Sequence, residues 1–135
     1  MKLTMVLFFL LAIATSTSCK EMGEINGDYK ITMVGTNDYS EHDITLKIET
    51  GEENKISGKS ACNQYSGSFT NPKENLIEVG MLMGTKMYCM DVAEVEADYK
   101  KHLSQVASVE VTKTGVNLMN KEKNIIIVAI KKETK

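Results

Sequence analysis

The side chains of this 135-residue chain that could do chemistry are mostly sulfur-bearing, with nine methionines and three cysteines against two histidines. Cys62 and Cys89 could pair as a disulfide or, as thiolates, bind a soft metal ion. Because thiolates and thioethers together favour Cu(I), one hypothesis is a copper site. Its candidate ligands are Met81, Met83, Met87, Cys89 and Met90.

The same methionines have a structural interpretation. Met81, Met83 and Met87 occupy alternating positions, and flexible thioethers on one face of a strand are good core fillers. We therefore predict no metal ligands and no cofactor, and we keep copper binding as the alternative.

The histidines, His42 and His102, do not lie at ligand spacing from each other or from a cysteine. His102 falls near the end of a predicted helix, where it would be a surface residue or complement the helix dipole. A nucleophile pair of Cys89 and His102 is an alternative, because such partners meet only in space. A disulfide at Cys89 would leave no free thiol for this pair. We predict no catalytic residues and a protein that is not an enzyme.

The third cysteine, Cys19, follows the pattern of an export signal. Lys2 precedes an apolar run at residues 3–13, and small residues then lead to the cysteine. The run is about half of the 20 residues that a spanning helix needs. We predict that residues 1–18 are a lipoprotein-type signal peptide and that the Cys19 thiol carries lipid. Ser16 stands where such signals usually have leucine, so conventional cleavage without lipidation is the alternative.

This pattern predicts an exported protein of the cell envelope, lipid-anchored to the outer membrane or the cell surface. Residues 19–26 would be the lipidated N-terminus and short tether, and residues 27–135 one domain, expected to be a monomer. All 16 basic residues are lysines, against 18 acidic residues. Without arginine there is no guanidinium fork for bidentate phosphate or base contacts, so nucleic acid is not an expected partner.

Alternating apolar and polar residues between turn signals predict about eight short antiparallel strands. They cover residues 29–33, 44–48, 55–60, 65–70, 76–83, 109–112, 116–119 and 125–130. The last of these is almost continuously apolar, which is typical of a central or doubly covered strand. Pro72 predicts a turn at residues 71–75.

A single helix is predicted between Asp91 and Val106, where apolar residues recur every three or four positions. Asp91 and Glu94 have the spacing of a capping pair. Together these elements predict a mainly β (α+β) fold, a small antiparallel curled sheet or barrel with the helix packed across one opening.

Two motifs carry a family resemblance. The first is Cys62-Asn63 followed by Gly67 and Phe69, the second is Thr85-Lys86-Met87-x-Cys89, and the helix adds Glu96, Tyr99 and Leu103. At these residues the chain resembles the META domain family, which includes heat-inducible HslJ-type lipoproteins. The resemblance implies a small, strand-rich, barrel-like fold with a helix, found in envelope lipoproteins. It implies no catalytic residues and no ligand.

The chain departs from the family pattern at two positions. Ala61 replaces the usual glycine before the first cysteine, and Tyr29 stands where many members carry tryptophan. A small residue still fits a tight bend at position 61. An aromatic at position 29 can fill the core while its hydroxyl reaches the edge.

In an exported protein, an odd cysteine count normally means that two pair. With Cys19 set aside, we predict a Cys62–Cys89 disulfide, closing a loop of about 28 residues and contributing roughly 3 to 4 kcal/mol in the loop-entropy model. Asn63 and Thr85, beside the cysteines, are predicted to hydrogen-bond backbone at bends. A binding role for these two residues is the alternative.

These observations predict a non-enzymatic envelope lipoprotein that binds or stabilises a partner, such as an envelope protein, under stress. One alternative is a copper-binding or copper-sensing lipoprotein that uses the methionine and cysteine cluster. Another is a small inhibitor of a secreted hydrolase, which would present a rigid loop such as residues 71–75 to an active-site cleft.

Overall fold

The computed structural model describes residues 25–73 and 75–133. The predicted signal peptide and Cys19 lie outside these residues, as does most of the predicted tether. The elements found are β1 (Gly27–Val34), β2 (Asn37–Asp38), β3 (Thr45–Glu49), β4 (Lys55–Lys59), β5 (Gln64–Thr70), β6 (Glu78–Val79), β7 (Met83–Gly84), α1 (Ala93–Ser104), β8 (Ser108–Val111), β9 (Gly115–Met119) and β10 (Ile125–Lys131).

The strands form one antiparallel sheet in the order β6-β5-β4-β3-β1-β10-β9-β8, with β2 added to β1 and β7 to β5. The sheet curls until its two ends meet. Ile77 N donates to Ala107 O at 2.9 Å, and Val109 N donates to Asn75 O at 2.9 Å. The predicted fold class is therefore confirmed, and the apolar run of β10 lies inside the sheet between β1 and β9.

Side chains fill the interior of the curled sheet. Tyr29, Ile31 and Ile127 from the sheet are fully buried, and α1 covers the interior with Tyr99 and Leu103. Each such side chain contributes about 1.5–3 kcal/mol of hydrophobic free energy. The void left between the described apolar core residues is about 20 Å³, so the centre of the domain is a packed core.

The single strand predicted at residues 76–83 is wrong. The chain there forms two separate two-residue strands, β6 and β7, and both pair with β5. Gly80 lies between them and donates its N–H to Ser68 O at 2.8 Å. This split and the short β2 account for ten strands instead of eight.

The helix is shorter than predicted, and the capping pair is wrong. A 3-10 turn, Met90–Val92, comes first, and α1 then begins at Ala93 with Val92 as an N-cap that makes no side-chain hydrogen bond. Asp91 lies inside that turn, so it is not at the N-cap position. The charges of α1 complement the helix dipole, with acidic residues in the first turn and Lys101 and His102 in the last. Within the described ranges, none of the helical segments is both long and apolar enough to cross a bilayer.

Candidate functional site

The buried side-chain amide of Asn63 connects three segments of the chain. Its Nδ2 donates to Met87 O at 3.0 Å and to Glu96 Oε2 at 2.9 Å. Its Oδ1 accepts from Met87 N at 2.7 Å and from Thr85 Oγ1 at 2.8 Å. A primary amide has two donor hydrogens and two acceptor lone pairs, so all four are used. Asn63 therefore binds backbone at a bend, as predicted, and its amide holds the following loop and the helix together.

Glu96 of α1 holds the same bend from the helix side. Its carboxylate accepts from Ser60 Oγ and from Asn63 N, the latter at 3.0 Å, and Lys100 Nζ lies 3.6 Å away. Burial alone would raise the pKa of Glu96, but the hydrogen bonds from Ser60 and Asn63 outweigh it, and the pKa is lowered. The carboxylate is thus held in its charged form by the groups that it positions.

The disulfide predicted between Cys62 and Cys89 is present, with a Cα–Cα distance of 5.9 Å, which is ordinary for such a bond. Cys62 is buried, while Cys89 is only partly buried. The bond joins Cys89, shortly before α1, to Cys62 in the bend at residues 60–63, which also contains Asn63. It leaves no thiolate at Cys89 for a nucleophile pair with His102 or for a copper site.

The backbone conformation at position 61 explains why glycine is usual before the first cysteine in the pattern that this chain resembles. Ala61 has φ +79°, in the left-handed region that glycine occupies without strain and alanine does not. This conformation turns the chain so that Ser60, Cys62 and Asn63 can all make their contacts. Alanine is tolerated, at a cost in stability.

The segment between β6 and α1 exposes its apolar side chains. We call residues 81–90 the methionine loop. Its exposed fractions are 85% for Met81, 67% for Met83, 61% for Met87, 80% for Tyr88 and 77% for Met90. The interpretation of Met81, Met83 and Met87 as core fillers is therefore wrong. The residue of this segment that packs on the core is Leu82, which lies over Gly67, where a Cβ atom would be 2.9 Å from Leu82 Cδ2.

The methionine loop is exposed yet fixed. Thr85 N donates to Gln64 O at 3.0 Å, and Thr85 Oγ1 accepts from Gln64 N at 3.1 Å. Gly84 lies so close to Gln64 O that a Cβ atom would be 2.6 Å from it. Asn63 holds the Met87 peptide, and the disulfide holds Cys89, one residue before the end of the loop, while the Lys86 side chain stays exposed. A short segment that exposes several large apolar side chains on a fixed backbone is typical of an interaction surface.

The model of the META domain matches residues 22–133 of this chain. The chain belongs to the META domain family. No curated protein matches it. Its structure is similar to the NMR structure of a protein from Burkholderia xenovorans, with a TM-score of 0.61, 20% sequence identity, and coverage of 84% of this chain and 86% of that one. At this level of identity the likeness shows the fold alone. In this META domain Asn63, Thr85 and the Cys62–Cys89 disulfide hold the methionine loop, whereas the Lys86 side chain does not.

Sequence reasoning missed a second polar cluster of this META domain, which joins β2 to α1. Tyr39 Oη donates to Asp98 Oδ2 at 2.8 Å, and His102 Nδ1 lies 3.1 Å from Asp98 Oδ1. The ring of His42 packs edge-on against Tyr39 at 5.5 Å. The four-residue spacing of Asp98 and His102 on the helix was a sequence signal for the contact between these two residues. Within the two described ranges, no group of three or more His, Cys, Asp and Glu residues is arranged to hold a metal ion.

The side chain of Asn71 stabilises the turn that follows β5. Asn71 Nδ2 donates to Lys73 O and to Leu76 O, and Leu76 N donates to Lys73 O at 3.0 Å. Pro72 borders an open cavity of about 720 Å³ that also reaches Gln105 and Lys121. The loop offered as an inhibitory element is thus braced by these contacts, although residue 74 lies outside the described part.

Proposed function

We propose that this META domain is the folded part of an exported, lipid-anchored protein of the cell envelope, which binds an envelope protein through the methionine loop. It binds and stabilises its partner under stress and does not turn over a substrate. The sequence pattern of an export signal that leads to Cys19 supports the location. The methionine loop supports the binding role.

The observation that carries the binding role is the combination of exposure and fixation. Five large apolar side chains within ten residues stay 61% to 85% exposed on a loop whose backbone is held by Asn63, Gln64 and the disulfide. Burying a side chain of this size contributes about 1.5–3 kcal/mol. Because the backbone is already ordered, binding of a partner costs little backbone entropy, and the free energy gained is reduced only by the rotamer freedom that the methionine side chains lose. Thioethers also adapt their shape to irregular apolar surfaces.

Site-specific photo-cross-linking in intact cells tests the binding role. A photo-reactive amino acid replaces Tyr88 in the full-length protein, and the control replaces Ile125, an exposed apolar residue outside the loop. We expect one defined cross-linked envelope protein from position 88 and none from position 125. The product should disappear when Met81, Met83 and Met90 are changed to serine. No product from position 88, or the same products from both positions, would overturn the binding role. A secreted hydrolase cross-linked from position 72 would favour inhibition instead.

The anchor is tested by the mass of the protein extracted from membranes. We expect a chain that begins at Cys19 and carries the mass of a lipid on that residue. The Cys19→Ala variant should lack this added mass. A chain that begins elsewhere without lipid would contradict the anchor and leave the methionine loop unaffected.

One observation favours Cu(I) binding as a second candidate function. Because both loop-region cysteines form a disulfide, the site would be built from the exposed thioethers, above all Met81 and Met83 on one face of an extended segment. Titration of the purified protein with Cu(I) should then show stoichiometric binding. Met81→Leu with Met83→Leu should abolish it, and Met33→Leu with Met119→Leu should not. No binding at micromolar metal removes this candidate.

A further inference from the structure

Thioethers are the soft nucleophiles that the described part of this domain leaves accessible. The thiols of Cys62 and Cys89 are already joined. Four of the six methionines at residues 25–73 and 75–133 lie in the methionine loop. Their exposed fractions run from 61% to 85%, whereas Met33 and Met119 are partly buried within β1 and β9. Reaction with a dissolved oxidant is governed by access to sulfur.

We propose that the methionine loop is a reversible oxidation site, at which Met81, Met83, Met87 and Met90 are converted to sulfoxides by hypochlorous acid. In net terms each sulfur gains one oxygen atom and loses two electrons. The O–Cl bond of the oxidant breaks, and chloride and one proton are released. Methionine sulfoxide reductases restore the thioether with a dithiol as the reductant: the dithiol gives up two electrons and two protons and becomes a disulfide, and the oxygen leaves as water.

Oxidation of these four methionines should not unfold the domain. The side chains of the four methionines project into solvent, so adding an oxygen atom to sulfur removes no core packing. The loop backbone is held by contacts that contain no thioether sulfur: the Asn63 amide, the Gln64 backbone and the disulfide. The loop keeps its position while its surface changes from apolar to polar. Oxidation of Met33 or Met119 would instead place a polar group in the sheet.

A change from thioether to sulfoxide gives the loop two states with one backbone structure. The thioether state presents an apolar surface of four methionines and Tyr88. The sulfoxide state presents four polar groups at the same positions, so an apolar partner would lose its contacts. This consequence rests on the proposed function, whereas the preference of the oxidant for these four residues does not.

The test treats the membrane-extracted protein with increasing hypochlorous acid and follows each methionine by peptide mass spectrometry. We expect the four loop methionines to gain one oxygen each at doses several times lower than Met33 and Met119. Resistance to proteolysis should stay unchanged over that range. The two methionine sulfoxide reductases, one for each epimer, should together then remove the added oxygen. Equal reactivity of Met33 and Met119, loss of proteolytic resistance as the loop is oxidised, or sulfoxides that the two reductases together cannot remove would each overturn the proposal.

A matched variant carries Met81→Leu, Met83→Leu, Met87→Leu and Met90→Leu, which keeps the loop apolar but removes the reactive sulfurs. Its remaining described methionines should react as slowly as in the unchanged protein. In the cross-linking assay, oxidant should abolish the product from position 88 in the original protein and not in the leucine variant. If neither protein gives a cross-link but the loop methionines still react first, the proposed function fails and the oxidation site stands.

Discussion

The side-chain amide of Asn63 binds both polar groups of the Met87 residue, with Nδ2 donating to Met87 O at 3.0 Å and Oδ1 accepting from Met87 N at 2.7 Å. The arrangement imitates the pairing of two antiparallel strands with one side chain in place of a strand. It fixes the Met87 backbone while the Met87 side chain stays exposed. Asn63 thus holds the backbone of an exposed loop in place.

Replacing Asn63 should therefore destabilise the domain strongly. Asn63→Ala removes four side-chain hydrogen bonds and leaves their partly buried partners unpaired, which should cost about 3 kcal/mol of unfolding free energy. Asn63→Asp keeps the shape but turns the donor toward Glu96 into a second carboxylate, and it should be destabilised as well. Urea unfolding measures both changes. Asn117→Ala, which loses one exposed contact with Glu110, is the control and should change stability little. An Asn63→Ala variant with a midpoint like that control would contradict this account.

Glu96 should make stability depend on pH in the acid range. Its pKa is lowered in the folded state from an ordinary value of 4.5, so its stabilising contribution is complete above that value. The contribution is lost as pH falls through the lowered pKa of the folded state. Glu96→Gln removes the charge, so its deficit relative to the original protein should be largest near neutral pH and should shrink below pH 4.5. Urea midpoints across this range measure the difference. Glu94→Gln, on the exposed side of the same helix, is the control, and a constant Glu96→Gln deficit at all pH values would contradict the prediction.

Much of this fold follows from patterns that are local in sequence. Strict alternation predicted β3 because one face of that strand is buried and the other is wet. The apolar run at β10 predicted an interior strand because the residues on both of its faces are largely covered. The disulfide followed from the cysteine count in a chain predicted to be exported, and Tyr29 fills the core while its hydroxyl donates to Ile25 O at 2.7 Å.

The exposure of the methionines could not be predicted in the same way. Alternation in residues 81–83 shows that neighbouring side chains point to opposite faces, but it does not show which face meets the core. That choice is made by Gly67, which is distant in sequence and leaves room for Leu82. The contact between Tyr39 and Asp98 likewise joins residues 59 positions apart and has no local signal. What the sequence could not supply was the side-by-side placement of segments that are far apart along the chain.

Replacing Ala61 with glycine should stabilise the domain. At φ +79° an alanine carries a steric cost of roughly 1 kcal/mol that glycine does not. Part of this gain is offset by the greater freedom of glycine in the unfolded chain. We expect a net rise of a few tenths of a kcal/mol in unfolding free energy. Ala97→Gly, at an exposed position inside α1, is the control and should lower stability by about 1 kcal/mol. Equal losses from both changes would show that the bend at residue 61 gains nothing from glycine.

Removing the disulfide should reveal how far Asn63 alone can hold the methionine loop. Changing Cys62 and Cys89 together to alanine should lower the unfolding free energy by roughly 3 to 4 kcal/mol, mainly because the unfolded chain gains freedom. In the folded state the Asn63 contacts with Met87 remain, so the Met87 amide should stay protected from hydrogen exchange relative to global unfolding. Adding Asn63→Ala should remove that protection and free the loop. Because the two attachments restrain the same segment, their effects on loop protection should not add independently. Loss of Met87 protection in the disulfide-free variant with Asn63 intact would show that the disulfide, and not Asn63, positions the loop.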